Sequence, residues 1–261
     1  MPELLGPELL GVALDGRLAI VCAAVFIGGF MRGFVGFGAA LVAVPVLSLA
    51  YEPRLAVAAM TVVGVPTLLQ LLPDAIRTSE RSIVVPISLA ILLSTPIGTW
   101  ILVSVSPALM KIVISALVVL LVAMLARGWR IEGEVSRPVL VGAGVAGGLI
   151  QGTAGIGGPP VVAVALSRPG SPVQQRGNVL ALMTAISISS LLPLLYYGLF
   201  TRQSIVIGLL LLPVYGGSIL LGSRYFARGG QRHYRNAALA MLGVIGIATL
   251  IAALRDYITT L

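Results

Sequence analysis

The sequence predicts an all-α integral membrane protein made of two inverted repeats, each a re-entrant broken-helix hairpin followed by three transmembrane helices. Three observations predict it. Of 261 residues, 58% are apolar and only 10% charged, with a mean hydropathy of +1.06, whereas soluble domains run near half apolar and a quarter charged. The apolar residues fall into eight runs bounded by charge or by Pro and Gly. Two of those runs, the first and the fifth, share one glycine pattern: IGGFMRGFVGFGAALVAVPVL and AGGLIQGTAGIGGPPVVAVAL.

Residues 1–17 place Glu3, Glu8 and Asp15 ahead of Arg17. That is the reverse of a basic signal-peptide start, so this segment is expected to stay on the mature protein. The first repeat, 18–130, holds a hairpin over 18–51 and helices over 54–72, 83–104 and 107–126. The second, 131–261, holds a hairpin over 138–167 and helices over 178–200, 203–222 and 235–254. Every run is read as helical because lipid offers an unpaired backbone no partner.

A shift of 119 lays Gly28, Gly29, Gly33, Gly36 and Gly38 on Gly147, Gly148, Gly152, Gly155 and Gly157, and Pro53 on Pro172. Five matches are far more than 31 glycines in 261 positions give by chance, and they mark an internal duplication. Weaker echoes pair Pro73 with Pro193, Pro96 with Pro213 and Lys111 with Arg235.

Basic residues choose between two topologies. If the interrupted runs crossed the membrane, the 16 loop Lys and Arg would divide 8 to 8. If each run enters, breaks and returns on one side, 11 fall on one face (Arg77, Arg81, Arg127, Arg130, Arg137, Arg168, Arg176, Arg224, Arg228, Arg232, Arg235) and 5 on the other (Arg17, Arg54, Lys111, Arg202, Arg255). The second division is a positive-inside bias and favours hairpins that return, with both termini outside. Two arms of 13 residues, Leu18–Phe30 and Ala39–Tyr51, measure about 20 Å each, too short for a ~30 Å core. An odd number of crossings per half inverts the repeats, a transporter architecture with substrate near the midplane at broken helices.

Each break exposes backbone N–H groups and the positive end of the returning half-helix, which together attract anions. Arg32 is the only charge in the middle of an apolar run. Inserting it costs roughly 2.5–3.5 kcal/mol, so a binding role is the first reading, and its fork suits the oxygen pair of a sulfonate, sulfite, phosphate or carboxylate. The competing reading has Arg32 snorkelling to the surface or pairing with a loop carboxylate. Its counterpart in the second break is Gln151, a neutral donor, with Thr153 adding a hydroxyl or capping backbone. The glycines are expected to serve the breaks rather than helix packing, the alternative use of small residues in membranes. The candidate binding side chains are therefore Arg32, Gln151 and Thr153, beside the backbone of the break glycines.

Thr67, Gln70, Thr184, Ser187, Ser189 and Ser190 are polar positions within runs, better read as helix–helix hydrogen bonds than as a path. Trp100, Tyr196, Tyr197 and Tyr215 read as interfacial anchors or packing. Every Asp and Glu lies in a loop or terminus, and the single histidine, His233, lies in a basic loop. Catalysis, a metal site and a bound cofactor are accordingly not expected. Cys22 is the lone cysteine, so no internal disulfide exists. The +8 formal charge is read as loop bias rather than nucleic-acid binding. The expected partners are a small anion, the bilayer and a second copy of the chain as homodimer.

The stretches 28–47 (GGFMRGFVGFGAALVAVPVL) and 147–166 (GGLIQGTAGIGGPPVVAVAL), with the PIG and PVYGG turns at 96 and 213, resemble the sulfite exporter TauE/SafE family, also called the toluene sulfonate uptake permease family. The likeness covers essentially the whole chain from about residue 18. It implies a bacterial inner-membrane permease, its outside termini periplasmic, for sulfur-containing anions such as sulfite, thiosulfate or sulfoacetate, with Arg32, Gly33, Gly36, Gly38, Gln151, Gly152, Gly155, Gly157 and Gly158 carried over as substrate-binding positions. Members differ in substrate and direction.

Overall fold

The computed structural model describes residues 8–9, 12–13, 16–35, 38–127, 136–167, 172–227 and 234–260. Among them are ten helices: α1 (Gly16–Val35), α2 (Ala39–Ala50), α3 (Pro53–Thr78), α4 (Arg81–Ser104), α5 (Pro107–Ala126), α6 (Arg137–Ala154), α7 (Gly158–Ser167), α8 (Pro172–Tyr196), α9 (Arg202–Ala227) and α10 (Tyr234–Thr260). A two-residue antiparallel pair, β1 (Glu8–Leu9) with β2 (Val12–Ala13), precedes them. This pair is a small departure from the all-α expectation.

Proline sets several starts. α3 and α8 begin on Pro53 and Pro172, and α5 and α6 carry Pro107 and Pro138 at their first positions, where a missing N–H costs nothing. Further prolines lie inside α2, α4, α8 and α9. Near Pro96 in α4, Ser94 donates to the Ala90 carbonyl at 2.7 Å, Thr95 to Ile91 at 2.7 Å and Thr99 to Thr95 at 3.1 Å, so these buried hydroxyls are satisfied by carbonyls one turn earlier.

Six helices contain a stretch long and apolar enough to cross a membrane: α1, α4, α5, α8, α9 and α10. The chain is a multi-pass membrane protein. The expected crossing over 54–72 lies inside α3, and α1 joins the long apolar helices. This corrects the expected arm lengths. α1 runs 20 residues, about 30 Å, not the 13 read from sequence, and α6 runs 18, about 27 Å. α2 and α7, 12 and 10 residues or about 18 and 15 Å, are too short to cross.

The helix continues past Phe30 because its glycines lie on packing faces. A Cβ on Gly28 would strike the Ala39 backbone, on Gly29 the Ser218 side chain, and on Gly33 the Ile219 backbone, while one on Gly222 of α9 would strike Phe30. α6 repeats the pattern: Gly147 against Val161 and the Gly157 carbonyl, Gly148 against Ser94, Gly152 against Thr95 and Thr99, and Gly98 of α4 against Leu149. Small residues four apart meet small residues four apart, Gly29/Gly33 on Ser218/Gly222 and Gly148/Gly152 on Ser94/Gly98. This lets backbones touch where lipid removes the hydrophobic drive between helices. Packing, the use weighed lower from sequence, is what these six hairpin glycines do.

Two compact units result. The first comprises Met1–Val63, Pro107–Val119 and Gly198–Leu261, and in it α1 packs on α9 and α2, and α2 on α10. The second comprises Gly64–Ser106 and Leu120–Tyr197, where α4 packs on α6 and α8 and α7 on α6 and α8. Its core is Ile83, Ile87, Ile91, Leu140, Val161, Val164, Ala165, Leu182 and Ile186. Each hairpin thus takes its packing partner from the other half of the sequence.

Candidate functional site

In the first unit, Arg32 lies in the last turn of α1 rather than in the break itself. Its guanidinium hydrogen-bonds the phenol oxygen of Tyr215 on α9. Tyr215 is 3% exposed, whereas Arg32 is half-buried. A cation at a helix C-terminus gains about 0.3–1 kcal/mol from the dipole, well short of the roughly 2.5–3.5 kcal/mol an intramembrane arginine costs. With one donor on Tyr215, four of the five N–H groups of the fork are left for other acceptors. Gly38 adopts φ 103°, a left-handed conformation that only glycine takes readily, and caps the start of α2 without a side-chain bond. Its carbonyl accepts from Leu41 N at 3.1 Å. Gly33 is half-buried against Ile219. Gly36 lies outside the described residues.

In the second unit, Gln151 is 7% exposed in the last turn of α6. Its Nε2 donates to Ser190 Oγ on α8 at 2.9 Å, and its Oε1 accepts from Gly157 N at 3.1 Å. The side chain therefore stitches α6, the break and α8 together. Gly155 turns the chain at φ 69° and donates its N–H to the Gln151 carbonyl at 2.8 Å. Gly157 is held against the Gly147 carbonyl, leaving no room for a Cβ. Gly152 is buried against α4, and Thr153 spends its hydroxyl on the carbonyls of Leu149 at 2.7 Å and Gly98 at 3.3 Å, the capping alternative foreseen for it. Gly158 opens α7 with Met183 at 3.4 Å as its nearest neighbour, the roomiest of these second-unit motif positions.

The other polar positions are mostly satisfied locally. Thr184 donates to Leu180, Ser187 to Met183 and Ser189 to Ile186, and Thr95 joins α4 to α8 through Ser189 at 2.9 Å. Trp100 and Tyr196 are exposed on the helix surface, as expected of anchors. The side chains of Thr67 and Gln70, and His233, lie outside the described residues.

Sequence reasoning missed Tyr215, which it took for an anchor or packing. The signal was present at a shift of 124: Ser94 and Gly98 then fall on Ser218 and Gly222, and Ile91 on Tyr215. Ile91 and Tyr215 both abut the equivalent glycines, Gly148 and Gly29. The same position is apolar in one unit and a hydroxyl aimed at the arginine in the other. The Arg32–Tyr215 pair is therefore an asymmetry laid on a shared scaffold.

Residues 21–249 match the sulfite exporter TauE/SafE family. No curated protein and no solved structure matches the chain. The match spans most of the sequence, both breaks and the Tyr215 segment included, and the chain belongs to the sulfite exporter TauE/SafE family.

Proposed function

We propose that this protein exports small sulfur-containing anions, sulfite or an organosulfonate such as sulfoacetate, from a bacterial cell across the inner membrane. The observation that carries the reading is Arg32, a cation in the last turn of a membrane helix, oriented by a buried tyrosine and followed by the glycine-capped start of a second helix. The guanidinium supplies charge and a bidentate fork, and the N-terminal N–H groups of α2 supply neutral donors.

Transport follows alternating access, the anion being exposed first to one side and then to the other. An outward-moving monovalent anion gains about 2.3 kcal/mol per 100 mV of inside-negative potential. Export then needs no coupling ion, in keeping with apolar runs free of carboxylates. No covalent step is required of any residue.

Reconstitution in vesicles tests this. Sulfite or sulfoacetate flux is expected to follow an imposed voltage and to saturate with substrate, and Arg32→Ala is expected to abolish saturable flux. Flux that ignores voltage and tracks a pH gradient rejects the uniport, and large unitary currents replace the carrier with a channel.

A further inference from the structure

A polar cavity of about 390 Å³ opens in the first unit at the opposite end of α1 from Arg32. Its walls are the start of α1, the α2–α3 turn and the start of α9. The polar groups lining it are Arg17, Tyr51, Glu52, Arg54, Thr201 and Gln203. The volume lies within the roughly 300–1,000 Å³ typical of small-molecule sites. Arg17 and Arg32 are 15 positions apart on one helix, about 22 Å along its axis, so the two arginines cannot share a ligand.

The donor set is chemically one-sided. Among the described residues, two guanidiniums and one carboxylate, that of Glu52, line it. Thr201 Oγ1 accepts from Ser204 N at 3.2 Å, which leaves its own O–H to donate. Gln203 adds an amide and Tyr51 a phenol, both able to donate. Two planar forks with hydroxyl and amide donors fit a small ligand that carries negative charge on several oxygens, and they disfavour a cation or an apolar molecule. The first turns of α1 and α3 hold these arginines and no acidic residue, so the cavity receives the positive helix ends with arginine added to them.

We propose that this cavity is a second oxyanion site, a staging post about one helix length from Arg32, for the same class of sulfur oxyanion. Its charge concentrates the anion at the mouth of the carrier and holds it between entry or release and the Arg32 site. The proposal rests on the reading of the cargo as an oxyanion.

Equilibrium binding of radiolabelled sulfite, kept anaerobic, to the full chain in lipid nanodiscs tests it. The Arg32→Ala protein is expected to retain one sulfite per chain. Adding Gln203→Glu, an exposed position that leaves both arginines in place, is expected to weaken this remaining site at least fivefold. Adding Arg17→Gln with Arg54→Gln instead is expected to abolish it. Sulfite binding to Arg32→Ala that is indifferent to Gln203→Glu overturns the proposal, and so does an Arg32→Ala protein that binds no sulfite. If Arg32→Ala keeps wild-type stoichiometry while Gln203→Glu still removes affinity, this site stands and the role assigned to Arg32 falls.

Discussion

The two breaks are built on one scaffold and finished differently. In both, a small-residue stripe on the longer arm meets a small-residue stripe on a helix from the opposite half of the sequence. In both, a glycine with positive φ turns the chain, Gly38 in one and Gly155 in the other. The polar centres then diverge. The second break is closed by Gln151, whose amide is engaged at both ends by Ser190 and Gly157. The first ends on Arg32, which has Tyr215 on one side and donor capacity to spare. The glycine frame is common to both, and two differences, Gln against Arg and Ile against Tyr, separate a break braced by a neutral amide from one that carries a cation.

The shared scaffold is the most sensitive part of the comparison. Gly152→Leu drives a side chain into the backbone of Thr95 and Thr99, an overpacking with no flexible neighbour to yield, expected to cost more than about 3 kcal/mol. The protein should fail to elute as a single species on gel filtration, whereas Gly158→Ala, with Met183 at 3.4 Å, should elute as wild type.

Next in size is the charge. Loss of a charge-assisted bond of about 1.5–3 kcal/mol corresponds to roughly 10–150-fold in affinity. Arg32→Ala should weaken sulfite binding by that factor in calorimetry. An unaltered dissociation constant would erase the distinction drawn between the breaks. Gln151→Leu should behave in the opposite way. It leaves the Gly157 N–H and Ser190 without their partner, a cost of about 1–3 kcal/mol, so the loss should appear in thermal stability and only slightly in affinity. Equal effects of Arg32→Ala and Gln151→Leu on binding would make the two breaks joint ligands. The smallest effect belongs to Tyr215→Phe, which removes one hydrogen bond of about 0.5–1.5 kcal/mol. Sulfite affinity should fall about 2–12-fold, with packing against Gly29 preserved.

Much of this was legible in the sequence because membrane folding is governed by length and hydropathy. The runs at 83–104, 107–126 and 203–222 reappear within α4, α5 and α9, and the shift of 119 located both breaks. The family was legible too, since glycine spacing carries it. The length of α1 was not. A glycine-rich segment reads as a loop until its partner is known, and Gly29 and Gly33 pack within a helix against Ser218 and Ile219, 189 and 186 positions away, which leave no space for a side chain. The partner of Arg32 was hidden for the same reason. Tyr215 lies in a turn-like PVYGG motif, and only the packing of α9 on α1 makes it a ligand of the arginine rather than an anchor. Arg32 itself stood out from sequence because a lone charge in lipid is costly wherever its helix ends.

The packing of α1 on α9 also imposes a schedule on biosynthesis. Gly33 and Ile219 are 186 positions apart, and at about 5–20 residues per second the ribosome needs roughly 10–40 s to supply the second after the first. Throughout that interval α1 lies in the bilayer with its glycine stripe uncovered and Arg32 without Tyr215. α4 and α6 meet earlier, Thr95 and Gly152 being 57 positions apart. The unit that holds the neutral break is therefore assembled first, and the charged break is completed among the last events of synthesis, so a chain truncated before α9 retains the arginine but not the tyrosine that orients it.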